Sequence, residues 1–125
     1  MNFKNKVIVA LDTKNLPESE KLIKRIKKHI FGVKIGYEFF LNFGISGYQK
    51  IKKHKINIFL DLKMHDIPNT IEGGLQAISS LNPYFTTIHI SGGDKMMEAA
   101  TKNKNKTKIL GVSILTSLND KQIQK

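Results

Sequence analysis

The sequence predicts an α/β fold with a parallel sheet, about the first five βα units of a (β/α)8 barrel of the TIM class, and three observations carry that prediction. Short β-branched runs alternate regularly with amphipathic stretches, which implies parallel strands joined by right-handed helical crossovers. A polar residue stands at or near the C-terminal end of each expected strand: Asp12, Lys34, Asp61, Ser91 and Thr116. A barrel brings every strand end to one mouth, whereas a doubly wound sheet gathers its ligand site at a switch point. Finally, 125 residues fall short of the roughly 200 or more that a complete barrel takes. The expectation is a single domain over 1–125, the N-terminal part of a barrel cut after its fifth strand, with the C-terminal units absent.

Each element follows from local pattern. Val7 to Asp12 reads as the first strand. Asn15-Leu16-Pro17-Glu18 opens a helix, with proline early and an acid in the first turn, and Leu22, Ile23, Ile26 and Ile30 repeat at helical spacing. Phe31 to Gly36 is a second strand, and Tyr37 to His54 a second helical region interrupted near Gly44 and Gly47. Its aromatic residues Tyr37, Phe39, Phe40 and Phe43 are expected on the core face. Ile56 to Asp61 is the third strand and Thr70 to Leu81 the third helix, stopped by Asn82-Pro83. Thr86 to Ser91 is the fourth strand. Gly92-Gly93-Asp94 is a turn with Asp94 as candidate N-cap, and Lys95 to Thr101 is a short helix in which Met96 and Met97 serve packing. A polar loop over Lys102 to Lys108 leads to the fifth strand, Ile109 to Leu115, and Thr116 to Asp120 begins a further loop or helix.

Composition narrows the class. There is no cysteine, which excludes disulfides and thiolate metal sites and fits a reducing compartment. The opening residues Met1 to Lys6 do not read as a signal peptide, and no apolar stretch reaches bilayer length. A soluble cytoplasmic protein with no membrane partner is expected. The formal net charge is +11, yet Arg25 is the sole arginine among 21 basic residues. A nucleic-acid surface more often carries arginine interleaved with aromatics. The lysines therefore read as a solvated basic shell, and no nucleic-acid partner is expected.

The chemistry concentrates at Asp61-Leu62-Lys63-Met64-His65-Asp66-Ile67-Pro68-Asn69-Thr70. Side chains alternate faces along a strand, so Asn57, Phe59, Asp61 and Lys63 share one face while Ile56, Ile58, Leu60 and Leu62 form an apolar one. Lys34 lies on another strand, between Val33 and Ile35, pointing into the barrel where it needs a carboxylate. Asp12, Lys34, Asp61, Lys63 and Asp66 together make a nearly balanced array, which suits a protonated ammonium at Lys63. The competing bland interpretation is a surface salt bridge, worth little. His65 and His89 lack a second histidine at ligand spacing and are expected to be satisfied polar or core residues. Ser91-Gly92-Gly93 is a turn able to cradle an anion through backbone N–H groups.

Those residues resemble orotidine 5′-phosphate decarboxylase, in its bacterial branch. The likeness is carried by Val9-Ala10-Leu11-Asp12, Val33-Lys34-Ile35-Gly36, the whole of 61–70, Thr87-Ile88-His89-Ile90-Ser91-Gly92-Gly93, Met96-Met97-Glu98-Ala99-Ala100 and Leu115-Thr116-Ser117. The D-x-K-x-x-D core is shared with sugar-phosphate relatives, and Ile67-Pro68-Asn69-Thr70 makes the match specific. The resemblance implies conversion of orotidine 5′-monophosphate to UMP in pyrimidine biosynthesis, without cofactor or metal. It implies that Lys63 protonates C6 of the pyrimidine, that Asp61 sits beside the substrate carboxylate, and that Asp66 reaches into the neighbouring subunit of a homodimer. By the same resemblance Ile67 and Thr70 line the contributed loop, Asp12 and Lys34 hold the ribose hydroxyls, and Thr116 lies near the base. In that family, later strands supply a glutamine and arginines that hold the phosphodianion, so this chain alone is expected to decarboxylate very poorly.

Three other readings compete. A magnesium-dependent sugar-phosphate decarboxylase or aldolase needs a further acid, for which Glu38 is the nearest candidate. A non-catalytic half-barrel fits the length but not the intact charge motif. A basic nucleic-acid module predicts lysines gathered on one face and binding that weakens steeply with salt.

Overall fold

A computed structural model describes residues 6–124; Met1 to Asn5, on which the expectation about a leader largely rests, lie outside the described residues. The elements run β1 (Ile8–Ala10), α1 (Leu16–Ile26), β2 (Gly32–Ile35), α2 (Tyr37–Lys52), β3 (Asn57–Met64), α3 (Pro68–Leu81), β4 (Phe85–His89), a 3-10 turn (Ile90–Gly92), α4 (Asp94–Asn103), β5 (Lys108–Val112) and α5 (Asp120–Ile123). The five strands form one sheet in the order β1-β2-β3-β4-β5, all parallel. A doubly wound sheet reverses its strand order at a switch point, and this one does not. Sequential order with a helix after each strand is the barrel arrangement, as expected.

Local chemistry sets the boundaries. Asn15 caps α1 by accepting from the Glu18 N–H at 3.1 Å, and Lys24 and Arg25 in the last turn complement the carbonyl end of the dipole. Within α2, Gly44 takes φ 59° and ψ −157° and kinks the helix, a backbone that glycine adopts without steric cost. Asn82 ends α3 in the left-handed region at φ 51°, and Pro83 follows.

Several limits differ from the sequence reading. α3 begins at Pro68 rather than Thr70, because proline at the first helical position supplies a suitable φ and gives up an N–H that would go unpaired there. Asp94 is the first residue of α4 instead of its cap; Gly93, at φ 90°, holds the cap position. Its carboxylate then lies in the first turn, where negative charge is favourable. β5 ends at Val112, before the expected Leu115, and β3 runs three residues further, through Met64.

Strand alternation sorts the side chains. Val33 and Ile35 of β2, Ile58 and Leu60 of β3, and Ile88 of β4 are all buried and pack with residues of the helices, such as Ile23, Phe39, Ile51, Ile71 and Leu75, in two hydrophobic clusters. Met96 is fully buried in the second cluster, as its packing role requires. On the opposite side of the sheet, Phe59 and Phe85 meet edge to face at 5.9 Å, and Phe31 approaches Phe85 at 6.1 Å. These rings form an apolar floor beneath the polar strand ends. Among the described residues no helix is long and apolar enough to cross a membrane.

Candidate active site

Asp61 is the hub of the polar strand ends. Its side chain is 7% exposed, and a carboxylate so placed must find partners. Lys63 Nζ donates to both of its oxygens, at 3.0 and 2.9 Å. The Thr87 hydroxyl donates to Oδ1 at 2.8 Å, and Lys34 Nζ stands 3.5 Å from Oδ2. Burial by itself pushes the Asp61 carboxyl up, but the hydrogen bonds from Lys63 and Thr87 and the charges of Lys63 and Lys34 outweigh it. The group is held below its ordinary value. A carboxylate ionised at neutral pH and flanked by two lysine side chains is the result.

The backbone at Lys63 is unusual. Its φ is 46°, the left-handed region that non-glycine residues seldom occupy. The pairing of β3 with β4 shifts register between Leu60 and Met64, so the bulge re-aims the strand at the point where the lysine projects. Strand parity nonetheless holds for the pair: Asp61 and Lys63 face the same side and bond to each other.

Two hollows flank Lys63. One, of about 320 Å³, is lined by Phe59, Asp61, Lys63, Thr87, Leu115 and Thr116 among others. The other, of about 500 Å³, is lined by Tyr37, Lys63, His65, Asp66, Thr70 and His89 with apolar neighbours. Thr116 is thus brought to the array, and Thr70 to Asp66. Asp66 is exposed and accepts from the Ile67 N–H at 2.7 Å; it forms no ion pair with Lys63 among the described residues. Ile67 is 66% exposed. Asp12 lines a separate hollow beside Ser19 and Leu22 and makes no ion pair with the array among the described residues. The expected five-member array is therefore Lys34, Asp61 and Lys63 within one chain.

Other residues meet expectation only in part. His65 is exposed and His89 half-buried, and their rings lie 5.2 Å apart, which leaves the polar rather than the core setting of the two expected for them. Tyr37 is 57% exposed rather than on the core face, and its hydroxyl donates to the Leu62 carbonyl. Glu38, the acid that a metal-dependent reading needs, sits exposed on the first turn of α2. Thr87 escaped the sequence reading as a site residue. The available signal was its parity with Phe85 and His89 on the inward face of β4, but its partner strand and register lie 26 residues away.

The chain is similar to known proteins in both sequence and fold. A family model for the orotidine 5′-phosphate decarboxylase / HUMPS family matches residues 5–125. The chain is 43% identical over 122 residues to an orotidine 5′-phosphate decarboxylase from Erythrobacter litoralis (strain HTCC2594), covering 97% of this chain and 54% of that protein. It is likewise 43% identical over 124 residues to one from Ehrlichia chaffeensis, covering 98% and 54%. The crystal structure of orotidine 5′-phosphate decarboxylase from Lactobacillus acidophilus matches with a TM-score of 0.84 and 38% identity, over 94% of this chain and 57% of that one. The chain spans about half the length of the curated relatives it matches. Its sequential parallel sheet is a partial TIM-barrel-type fold, and the chain belongs to the orotidine 5′-phosphate decarboxylase / HUMPS family.

Proposed function

We propose that this chain is a single domain corresponding to the first five βα units of an orotidine 5′-monophosphate decarboxylase, a lyase releasing CO2 to form UMP in pyrimidine biosynthesis. The observation that carries the reading is the Lys63 ammonium, bonded to a buried, ionised Asp61 at a strained strand end. Loss of CO2 from C6 leaves an electron pair in the plane of the pyrimidine ring, where the π system does not delocalise it. Stabilisation then falls to preorganised charge, and an ammonium supplies both the charge and the proton that completes the product. Asp61 holds that ammonium in place, Thr116 borders the base, and Lys34 and Asp12 take the ribose hydroxyls. No cofactor or metal enters this scheme.

The same reading makes the protein a cytoplasmic homodimer whose active sites are shared. Tyr37 and Leu41, one turn apart on the first part of α2, are 57% and 80% exposed, and Ile45, just past the Gly44 kink, is 57% exposed. Ile67, in the loop carrying Asp66, is also exposed. Exposed apolar side chains beside a loop whose carboxylate has no ion-pair partner among the described residues support contribution of Asp66, Ile67 and Thr70 to a neighbouring subunit. Leu41→Asp is expected to leave a monomer in sedimentation analysis.

The remote phosphate contacts of such enzymes organise the reacting centre, and in the family they come from later strands. Purified 1–125 is therefore expected to form UMP very slowly, and only with Lys63 present. Titration with UMP, followed by NMR, should perturb Asp61, Lys63 and Thr116. Perturbation elsewhere only, or turnover that survives Lys63→Ala, would sink the reading.

A further inference from the structure

The Leu62–Lys63 peptide group lies where β3 and β4 slip, between the Leu60–Thr86 and Met64–Ile88 pairs. Side chains from two other elements take its polar atoms. Tyr37 from α2 donates its hydroxyl proton to the Leu62 carbonyl. The Lys63 N–H donates to Thr87 Oγ1 of β4 at 2.9 Å. The residue that follows this clamped peptide plane is Lys63 itself, at φ 46°. A non-glycine residue held there is strained and persists only where its surroundings impose it.

Valence fixes the direction of every bond at Thr87. A backbone N–H can only donate, so the hydroxyl oxygen accepts from Lys63. An ionised carboxylate can only accept, so the single hydroxyl proton goes to Asp61 Oδ1, 2.8 Å away. Thr87 is 4% exposed, leaving water little access to replace it. The Lys63 ammonium returns to the same carboxylate, which closes a ring: Lys63 backbone, Thr87 hydroxyl, Asp61 carboxylate, Lys63 side chain. Both ends of the lysine are thereby referenced to one carboxylate.

We propose that Thr87 is a positioning residue of the decarboxylation centre, its hydroxyl setting where the Lys63 ammonium stands by fixing the left-handed backbone at Lys63 and the orientation of Asp61 together, with Tyr37 bracing the other end of the same peptide. This rests on Lys63 being the proton donor. Thr86 provides an internal control. It is fully buried and donates to the Leu60 carbonyl at 3.0 Å, so it shares the strand and the burial but does not touch the array.

The test compares Thr87→Val, Thr87→Ser, Thr86→Val and Tyr37→Phe, reading the Asp61 carboxyl titration by carbon NMR and the Lys63 side-chain ammonium resonance. Thr87→Val should raise the Asp61 titration midpoint and shift the ammonium signal, Thr87→Ser should restore both, and Thr86→Val should match the parent. Tyr37→Phe should shift the ammonium signal and leave the Asp61 midpoint nearly unmoved. Should the valine variant not fold, Thr87→Ala against Thr87→Ser separates hydroxyl from methyl by the same readouts. In turnover, Thr87→Val should lower kcat by about 10–100-fold while KM moves little, as misplacement of a catalytic group does. The inference is overturned if Thr87→Val titrates like the parent, or if Thr86→Val reproduces its effects. An absence of UMP-dependent signals alongside an intact response to Thr87→Val overturns the decarboxylase reading and leaves the clamp standing.

Discussion

The middle of the sheet and its two edges obey different rules. In β2, β3 and β4 each polar strand-end group is matched: Lys34 and Lys63 meet Asp61, and Thr87 bridges them. The residues behind them, Val33, Ile35, Leu60 and Ile88, are at most 3% exposed. At the edges, β1 and β5 have one sheet neighbour each. There Ile8, Leu110, Ile114 and Leu115 are between 37% and 48% exposed, and Asp12 lines a hollow of its own with no ion pair to the array among the described residues. An array that closes within three consecutive strands is complete once those strands pair. A group that depends on a neighbour across the mouth is complete only when that neighbour is present.

The largest effects should fall on the middle. Leu60→Ala removes a fully buried side chain and is expected to cost about 2–5 kcal/mol in urea unfolding. Leu110→Ala at the edge, 40% exposed, should change stability by less than about 0.5 kcal/mol. Equal losses at the two positions would erase the distinction.

Next comes acid. The Asp61 carboxyl is held below its ordinary value of 3.8, so in the window between the two values the unfolded chain binds more protons than the native one. Its contribution to stability is complete above 3.8 and is lost as pH falls through the lowered native value. Asp61→Asn cannot titrate, so its stability should decline less steeply over that window. Its stability at neutral pH should be lower by roughly 1–3 kcal/mol, since Lys63 and Lys34 lose a charged partner. Parallel pH curves for the two proteins would mean that Asp61 is not coupled to its neighbours.

The smallest contrast concerns the two groups expected at the ribose. Lys34→Met removes a part-exposed ion pair at 3.5 Å and should cost about 0–1 kcal/mol. Asp12→Asn should leave thermal unfolding unchanged within about 0.5 kcal/mol. Both should weaken UMP binding if both hold ribose, and an effect from Lys34 alone would remove Asp12 from the site.

Much of this is legible in the sequence. Hydrophobic period marks the five strands and the four helices α1 to α4, because it acts over a few residues and needs no partner. Period-two alternation placed Asp61 and Lys63 on one face, and the 61–70 motif named the family. The left-handed lysine, the Tyr37 and Thr87 clamp, and the separation of Asp12 from the array were decided only by tertiary structure. They depend on the register between segments more than twenty residues apart and on a slip in one ladder. Such a slip arises from the packing of whole strands, and no local run of residues specifies which threonine will face which carboxylate.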